Sequence, residues 1–259
     1  MKETVLITGA SSGIGLELAK CFAADKSNLI LVARSTAALE TLAAELRKQH
    51  QVEAHVVTAD LAQADAAQKI FAELQGRGTV VDVLVNNAGL GLHGGFAELP
   101  LHRQLEIIQV NVAALVELTG LFLPGMLQRN RGGILNVGSV AGFLPGPNMA
   151  VYFASKAFVL SFSEALHEEL RGCGVRVTNL CPGPTETNFF QIARSHRVRQ
   201  TRARKMTAAE VARIGHEDFR RGKCLSVPGV QNKILVSAVA KFLPRTAARK
   251  LAGHYNQLK

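Results

Sequence analysis

Residues 4–15 read TVLITGASSGIG, and the fold turns on this run. Val5, Leu6, Ile7 and Thr8 make a short, continuous, apolar and β-branched stretch, the composition of a strand buried on both faces. Gly9, Gly13 and Gly15 follow with GxxxGxG spacing, and behind them Leu16, Leu18, Ala19 and Phe22 recur at helical intervals. A strand, a glycine turn and a helix N-terminus in that order suit a pyrophosphate. Glycine lets the backbone approach the ligand, and the unpaired N–H groups and dipole of the helix favour an anion. The spacing is not the GxGxxG of the common dinucleotide fingerprint, so the flanking strand and helix carry the nucleotide reading.

Comparable apolar runs return at residues 29–32, 56–57, 83–85, 134–137 and 175–180, with helix-period segments between them. Continuous Val/Leu/Ile strands alternating with helices predict an α/β fold: a doubly wound, Rossmann-type parallel sheet with helices on both faces. The expected strands are 4–8, 28–33, 53–58, 81–86, 133–138 and 175–181, with a short one at 225–227. The expected helices are 13–24, 36–49, 64–75, 103–128, 151–171, 207–221 and 231–252. No repeat, low-complexity tract or linker divides the chain, so residues 1–259 are read as one domain. In such a sheet the ligand crevice lies outside the strand C-terminal ends. The glycine turn, Asp60, the NNAG run at 86–89, Ser139 and Pro182 all follow such ends and should converge.

Tyr152 and Lys156 stand four residues apart in YFASKA, one helical turn that puts them on the same face. A tyrosine near its reference pKa of ~10 is a poor base at neutral pH, and lowering it by ~3 units takes roughly 4 kcal/mol of differential stabilisation. An adjacent ammonium, a cofactor charge and hydrogen bonds are the means. Ser139 lies thirteen residues upstream of Tyr152, at the end of a strand.

Taken together, TGASSGIG, NNAG, Asn111, Ser139, Tyr152 with Lys156, and PGPT at 182–185 resemble the short-chain dehydrogenase/reductase family over residues 3–190. The resemblance implies that Tyr152 is the general acid/base, Lys156 lowers its pKa and holds the nicotinamide ribose, Ser139 holds the substrate oxygen, and Asn111 organises a proton relay through water. It implies that Gly9, Ser11, Ser12, Gly13, Ile14, Gly15, Asp60, Leu61, Asn87, Ala88, Gly89, Pro182, Gly183 and Thr185 line the cofactor. It also implies a homodimer or homotetramer, paired through helices 103–128 and 151–171.

The end of the second strand speaks to which nicotinamide is bound. An NAD enzyme usually carries an acid there, ~20 residues past the glycines. Here Ala33 and Arg34 occupy the strand end, and no acid occurs between Asp25 and Glu40. A guanidinium suits a 2′-phosphate, and Ser35 with Ser11 or Ser12 would add donors. NADP(H) is therefore the expected cofactor. The expected reaction is reduction of a ketone or other carbonyl to a secondary alcohol. A dehydrogenase running in the oxidative direction shares every motif, and a non-catalytic NADP-binding protein is the remaining alternative. Gly91, Leu92, His93, Phe143, Leu144, Phe189 and Phe190 are the expected, mostly apolar, pocket lining.

The net charge of +10 is uneven. Residues 190–259 carry 16 Lys and Arg against 3 Asp and Glu, while residues 1–189 carry 14 against 17. A substrate-binding lid is expected at 186–222, followed by a basic extension at 223–259. The densest stretch, residues 194–205, has six basic residues and no acid. It reads as solvated surface, as a mobile flap that draws in an anionic substrate, or as a peripheral contact with an anionic membrane. Nucleic acid is not expected, because few aromatics accompany the charge. The four cysteines have no metal-ligand spacing, so free thiols and no metal are expected. With no signal-like segment and no apolar run near ~20 residues, the expected compartment is the cytoplasm.

Overall fold

Strand β1 (Thr4–Thr8) lies in the middle of a seven-stranded sheet, its last four residues fully buried. The computed structural model describes residues 2–187, 189, 205–242 and 244–255. With β2 (Asn28–Ala33), β3 (Ala54–Thr58), β4 (Val83–Asn86), β5 (Gly132–Val137), β6 (Val175–Leu180), β7 (Thr185–Glu186), β8 (Met206–Thr207) and β9 (Leu225–Ser226), the sheet runs β3-β2-β1-β4-β5-β6-β9, all parallel. The winding reverses between β1 and β4, which makes the gap at their C-terminal ends the switch point where such folds bind ligands.

Helices cover both faces, as the Val/Leu/Ile strands require. On one face α1 (Gly13–Ala24), α2 (Thr36–His50) and α7 (Ala208–Arg220) bury Leu18, Phe22, Leu39, Leu46, Val211 and Phe219 against the sheet. On the other, α3 (Ala66–Gly76), α5 (Ala114–Gln128) and α6 (Ala150–Glu169) bury Ile70, Leu74, Leu118, Phe122, Met126 and Leu166. Each large side chain so buried contributes roughly 1.5–3 kcal/mol.

Four details differ from expectation. The helix expected at 103–128 is α4 (Leu101–Ile108), a π-helical turn (Gln109–Ala113) and α5. That continuous helix, Leu101–Gln128, is long and apolar enough by length and composition to cross a membrane, contrary to the expected absence of such a run. Its apolar side chains Leu115, Leu118, Phe122 and Met126 are instead buried in the protein. The helix expected at 231–252 is two, α8 (Val230–Phe242) and α9 (Arg245–Tyr255), parted around Pro244, whose ring and missing N–H disfavour a continuous helix. Two-residue strands β7 and β8 pair in parallel, too short to leave any periodicity in the sequence.

Within the expected lid, residues 208–220 form a helix packed on the core. Helix α7 opens on a Thr207–Glu210 capping box and packs Val211, Ala212 and Phe219 into the α1 side of the sheet. At its end the Arg220 guanidinium bonds both Glu3 oxygens (2.9 and 2.7 Å) and Asp25 (2.8 Å), so α7 is tied to the start of β1 and the end of α1. Burial works against the Glu3 charge, but the hydrogen bonds and charge of Arg220, with the Ser27 hydroxyl and the Arg176 charge, together outweigh it and hold the carboxyl below its ordinary range.

Candidate active site

The glycine turn is locked to the neighbouring strand. Gly9 has φ +65°, a conformation that side chains rarely adopt, and a Cβ on Gly15 would collide with the Gly9 carbonyl and the Asn87 amide. Asn87 Nδ2 donates to the carbonyls of Thr8 (2.8 Å) and Gly9 (3.2 Å). The Thr8 hydroxyl accepts from the N–H groups of Asn87 and Ala88, both at 3.0 Å, and donates to Val85 O at 3.2 Å. Thr8 thus clamps the two strand ends that flank the switch point. Sequence reading passed over it, and its signal was a hydroxyl residue at the strand terminus just before the turn.

Helix α1 begins at Ser12, in extended conformation, whose side chain makes no capping bond, and its first turn holds no acid. Its N–H groups and dipole are therefore uncompensated, as an anion site requires. Arg34 is exposed directly after β2, and Ala10 N–H bonds Val32 O beside it (3.2 Å). Asp60 follows β3 half-buried, its Oδ1 accepting Ala62 N–H at 3.1 Å. Leu61 is buried in the core, which leaves a ligand only its backbone.

The catalytic candidates come together from β5, α5's preceding turn and α6. Asn111 sits in the π-helical turn, a local widening found often at functional sites. Its Oδ1 accepts Leu90 N–H (2.8 Å), and its Nδ2 donates to Leu90 O and to Ser155 Oγ, each at 2.9 Å. Ser155 in turn donates to Tyr152 O (2.7 Å). Lys156 is buried, donates to Val137 O at 2.8 Å, and holds its Nζ 6.0 Å from the Tyr152 ring centroid. A Cβ on Gly89 would be 3.6 Å from both Lys156 Nζ and Asn111 Oδ1, so the NNAG run borders these two side chains. Ser139 hydrogen-bonds the Tyr152 phenol and also reaches Pro182 O (3.4 Å). Pro182 O accepts Val140 N–H as well (3.0 Å), Thr185 Oγ1 bonds Gly183 O (2.9 Å), and Gly183 packs on Asn232 of α8.

The electrostatics run against one expectation. Burial pushes the Tyr152 phenol up to about 12, with the Ser139 hydrogen bond opposing, and burial lowers Lys156 to about 8. The protein by itself does not give a low-pKa tyrosine, because both groups lose solvation together. A phenol that stays protonated at neutral pH is suited to donate a proton.

Two residues of the expected pocket lining, Gly91 and Phe189, reach the Tyr152 ring. Phe143 packs toward Cys181, Val227 and Val236, and His93 is buried. Phe190 and the basic stretch 194–204 lie outside the described residues. The four cysteines are free, and no cluster that would hold a metal occurs among the described residues.

A family model described as short chain dehydrogenase matches residues 3–198. The chain is 42% identical over 191 residues to a sulfoacetaldehyde reductase of Chromohalobacter salexigens, covering 73% of this chain and 75% of that one. It is 37% identical over 194 residues to a very-long-chain 3-oxoacyl-CoA reductase of Anas platyrhynchos, covering 73% of this chain and 62% of that longer protein. Among solved structures, a short-chain dehydrogenase from Sphingobium yanoikuyae in complex with NADPH superimposes with a TM-score of 0.82 at 32% identity, covering 93% and 96% of the two chains. One from Burkholderia phymatum in complex with NAD gives 0.80 at 28% identity, covering 91% and 92%.

Proposed function

The chain belongs to the short-chain dehydrogenase family, and on that premise we propose that it is an NADPH-dependent reductase of ketones and other carbonyls, with Tyr152 as the general acid. The observation that carries the reading is the Ser139–Tyr152–Lys156 cluster at the ends of β5 and β6, beside the glycine turn and the NNAG run.

The residues present fit a nicotinamide dinucleotide: the uncapped start of α1 would take the pyrophosphate, Asp60 would serve the adenine end, and Lys156 with Asn87, Ala88 and Gly89 would hold the ribose and nicotinamide. When bound, the cofactor supplies the hydride. Ser139 and Tyr152 aim their O–H groups at the substrate oxygen, and Tyr152 gives up its proton as that oxygen becomes an alkoxide. The Lys156 ammonium stabilises the phenolate left behind. The Asn111 side chain, spent on Leu90 and Ser155, positions rather than donates. With NADPH as the hydride donor, carbonyl reduction is the direction proposed.

Arg34 beside an acid-free strand end supports NADP(H) over NAD. The exposed Leu101, Leu105 and Ile108 of α4, with Phe158 of α6, support a homodimer or homotetramer through these helices. Free thiols support a reducing cytoplasmic setting, and the basic region after residue 190 supports peripheral contact with an anionic membrane. The test is NADPH oxidation with a panel of ketones, aldehydes, 3-oxoacyl thioesters and sulfonated aldehydes, set against NADP-linked oxidation of the matching alcohols. Faster turnover in the reductive arm is expected. Turnover confined to the oxidative arm would reverse the assignment of direction.

A further inference from the structure

Phe189 lies on the catalytic candidate itself. Its ring centroid is 5.3 Å from that of Tyr152, with the planes tilted by 45°. The ring edge rests on Gly91: a Cβ there would lie 2.6 Å from Phe189 Cζ and 3.4 Å from Tyr152 Cδ2. The first separation is one that real Cβ atoms do not tolerate. Gly91 is not among the glycines with positive φ, so its backbone gives no reason for glycine. The space taken by the Phe189 ring does. Phe153 also packs edge-on to the phenol ring, with the centroids 5.9 Å apart. Of these two aromatic neighbours of Tyr152, Phe189 is the one supplied by the chain that follows PGPT. Phe189 N–H bonds Thr187 Oγ1 (3.3 Å), which sets where that ring begins.

We propose that Phe189, seated on Gly91, is a specificity-determining residue that covers the Tyr152 ring and sets the size of the carbonyl substituent admitted beside it. This rests on Tyr152 being the general acid. A substituent bulkier than the space left by the ring must displace it, whereas a small aldehyde need not. Covering also accounts for part of the burial that raises the phenol. Ser139, Lys156 and Cys181 are the other groups that bear on the phenol's titration, and none of them changes when Phe189 is truncated.

The chain has two tyrosines and no tryptophan, so phenolate absorbance after a rapid pH jump reads Tyr152 against a single companion. In Phe189→Ala, water reaches the phenol, and one tyrosine should shift from about 12 toward the ordinary ~10. The ratio of kcat/KM for an aryl or branched ketone to that for a small aldehyde should rise at least ~10-fold, within the range that one pocket substituent commands. Gly91→Ala, which unseats the ring without removing it, should shift the tyrosine the same way. Phe189→Leu, which keeps most of the bulk, should stay near the parent in both readouts. An unmoved titration and an unmoved ratio in both Phe189→Ala and Gly91→Ala overturn the proposal while leaving the reductase reading intact. A shifted titration in a protein that reduces no carbonyl supports the covering ring and instead overturns the reductase reading.

Discussion

At the scale of single residues, the chemistry rests on which groups carry charge. Burial lowers Lys156 to about 8 and raises Tyr152 to about 12, so between these values the amine is neutral while the phenol is still protonated. The ammonium that stabilises the developing phenolate is present below the Lys156 value and lost above it. The rate of carbonyl reduction should therefore be level up to about pH 8 and decline above it, with no contribution from Tyr152 below pH 10. A pH profile of kcat/KM measures this, and a level profile through pH 10 would remove Lys156 from the proton chemistry. Arg34→Asp tests the other end of the cofactor. It replaces a partner for phosphate with a group that repels phosphate and accepts from a 2′-hydroxyl, so KM for NADPH should rise at least ~10-fold while KM for NADH falls. An unchanged KM for NADPH would show that Arg34 does not read the 2′-phosphate. The residues legible in the sequence were those whose role depends on local spacing, such as Tyr152 with Lys156 and the three glycines. Thr8, Ser155 and the Gly91–Phe189 contact were not legible, because each acts through a partner distant in the chain or through space left by a missing side chain.

At the scale of elements, the strands and most helices could be read because continuous Val/Leu/Ile runs and helical periodicity are local signals. The π-helical turn at Gln109–Ala113 could not, since one extra residue in a turn leaves the apolar pattern on both sides intact. Helix α7 was read as part of a lid because it follows PGPT, yet Val211 and Phe219 place it in the core. What fastens it is the Arg220 network with Glu3 and Asp25, a long-range pairing that no sequence window contains. Arg220 is only partly exposed and makes charge-assisted, bidentate bonds, so Arg220→Ala should destabilise the protein by about 2 kcal/mol. Its contribution is present above the ordinary Glu3 range near pH 4.5 and is lost as pH falls through the lowered Glu3 value. Denaturant midpoints at neutral and acidic pH measure both statements. The variant and the parent should converge at low pH, and equal midpoints at neutral pH would show that the network fastens nothing.

At the scale of the whole molecule, the switch point between β1 and β4 brings the glycine turn and the NNAG run together at the C-terminal ends of these two strands, and Gly89 of that run borders Lys156. The opposite question is what the exposed apolar residues of α4 and α6 do. Leu101, Leu105 and Ile108 recur on one helix face, and α6 adds Phe158 stacked on Phe162. Leu105→Asp combined with Phe158→Asp should convert the assembly to monomers in sedimentation at micromolar concentration, with the far-ultraviolet spectrum unchanged. A parent that already sediments as a monomer would leave these side chains as ordinary surface. The account as a whole depends most on Tyr152 as the proton donor for carbonyl reduction. Single-turnover oxidation of bound NADPH by a reactive carbonyl from the panel, compared between the parent and Tyr152→Phe, tests it most directly. Rapid oxidation is expected in the parent and a loss of at least ~100-fold in the variant, with NADPH affinity retained, because general acid catalysis typically contributes about 10²–10⁴-fold. A variant that keeps more than about a tenth of the parent rate would contradict it.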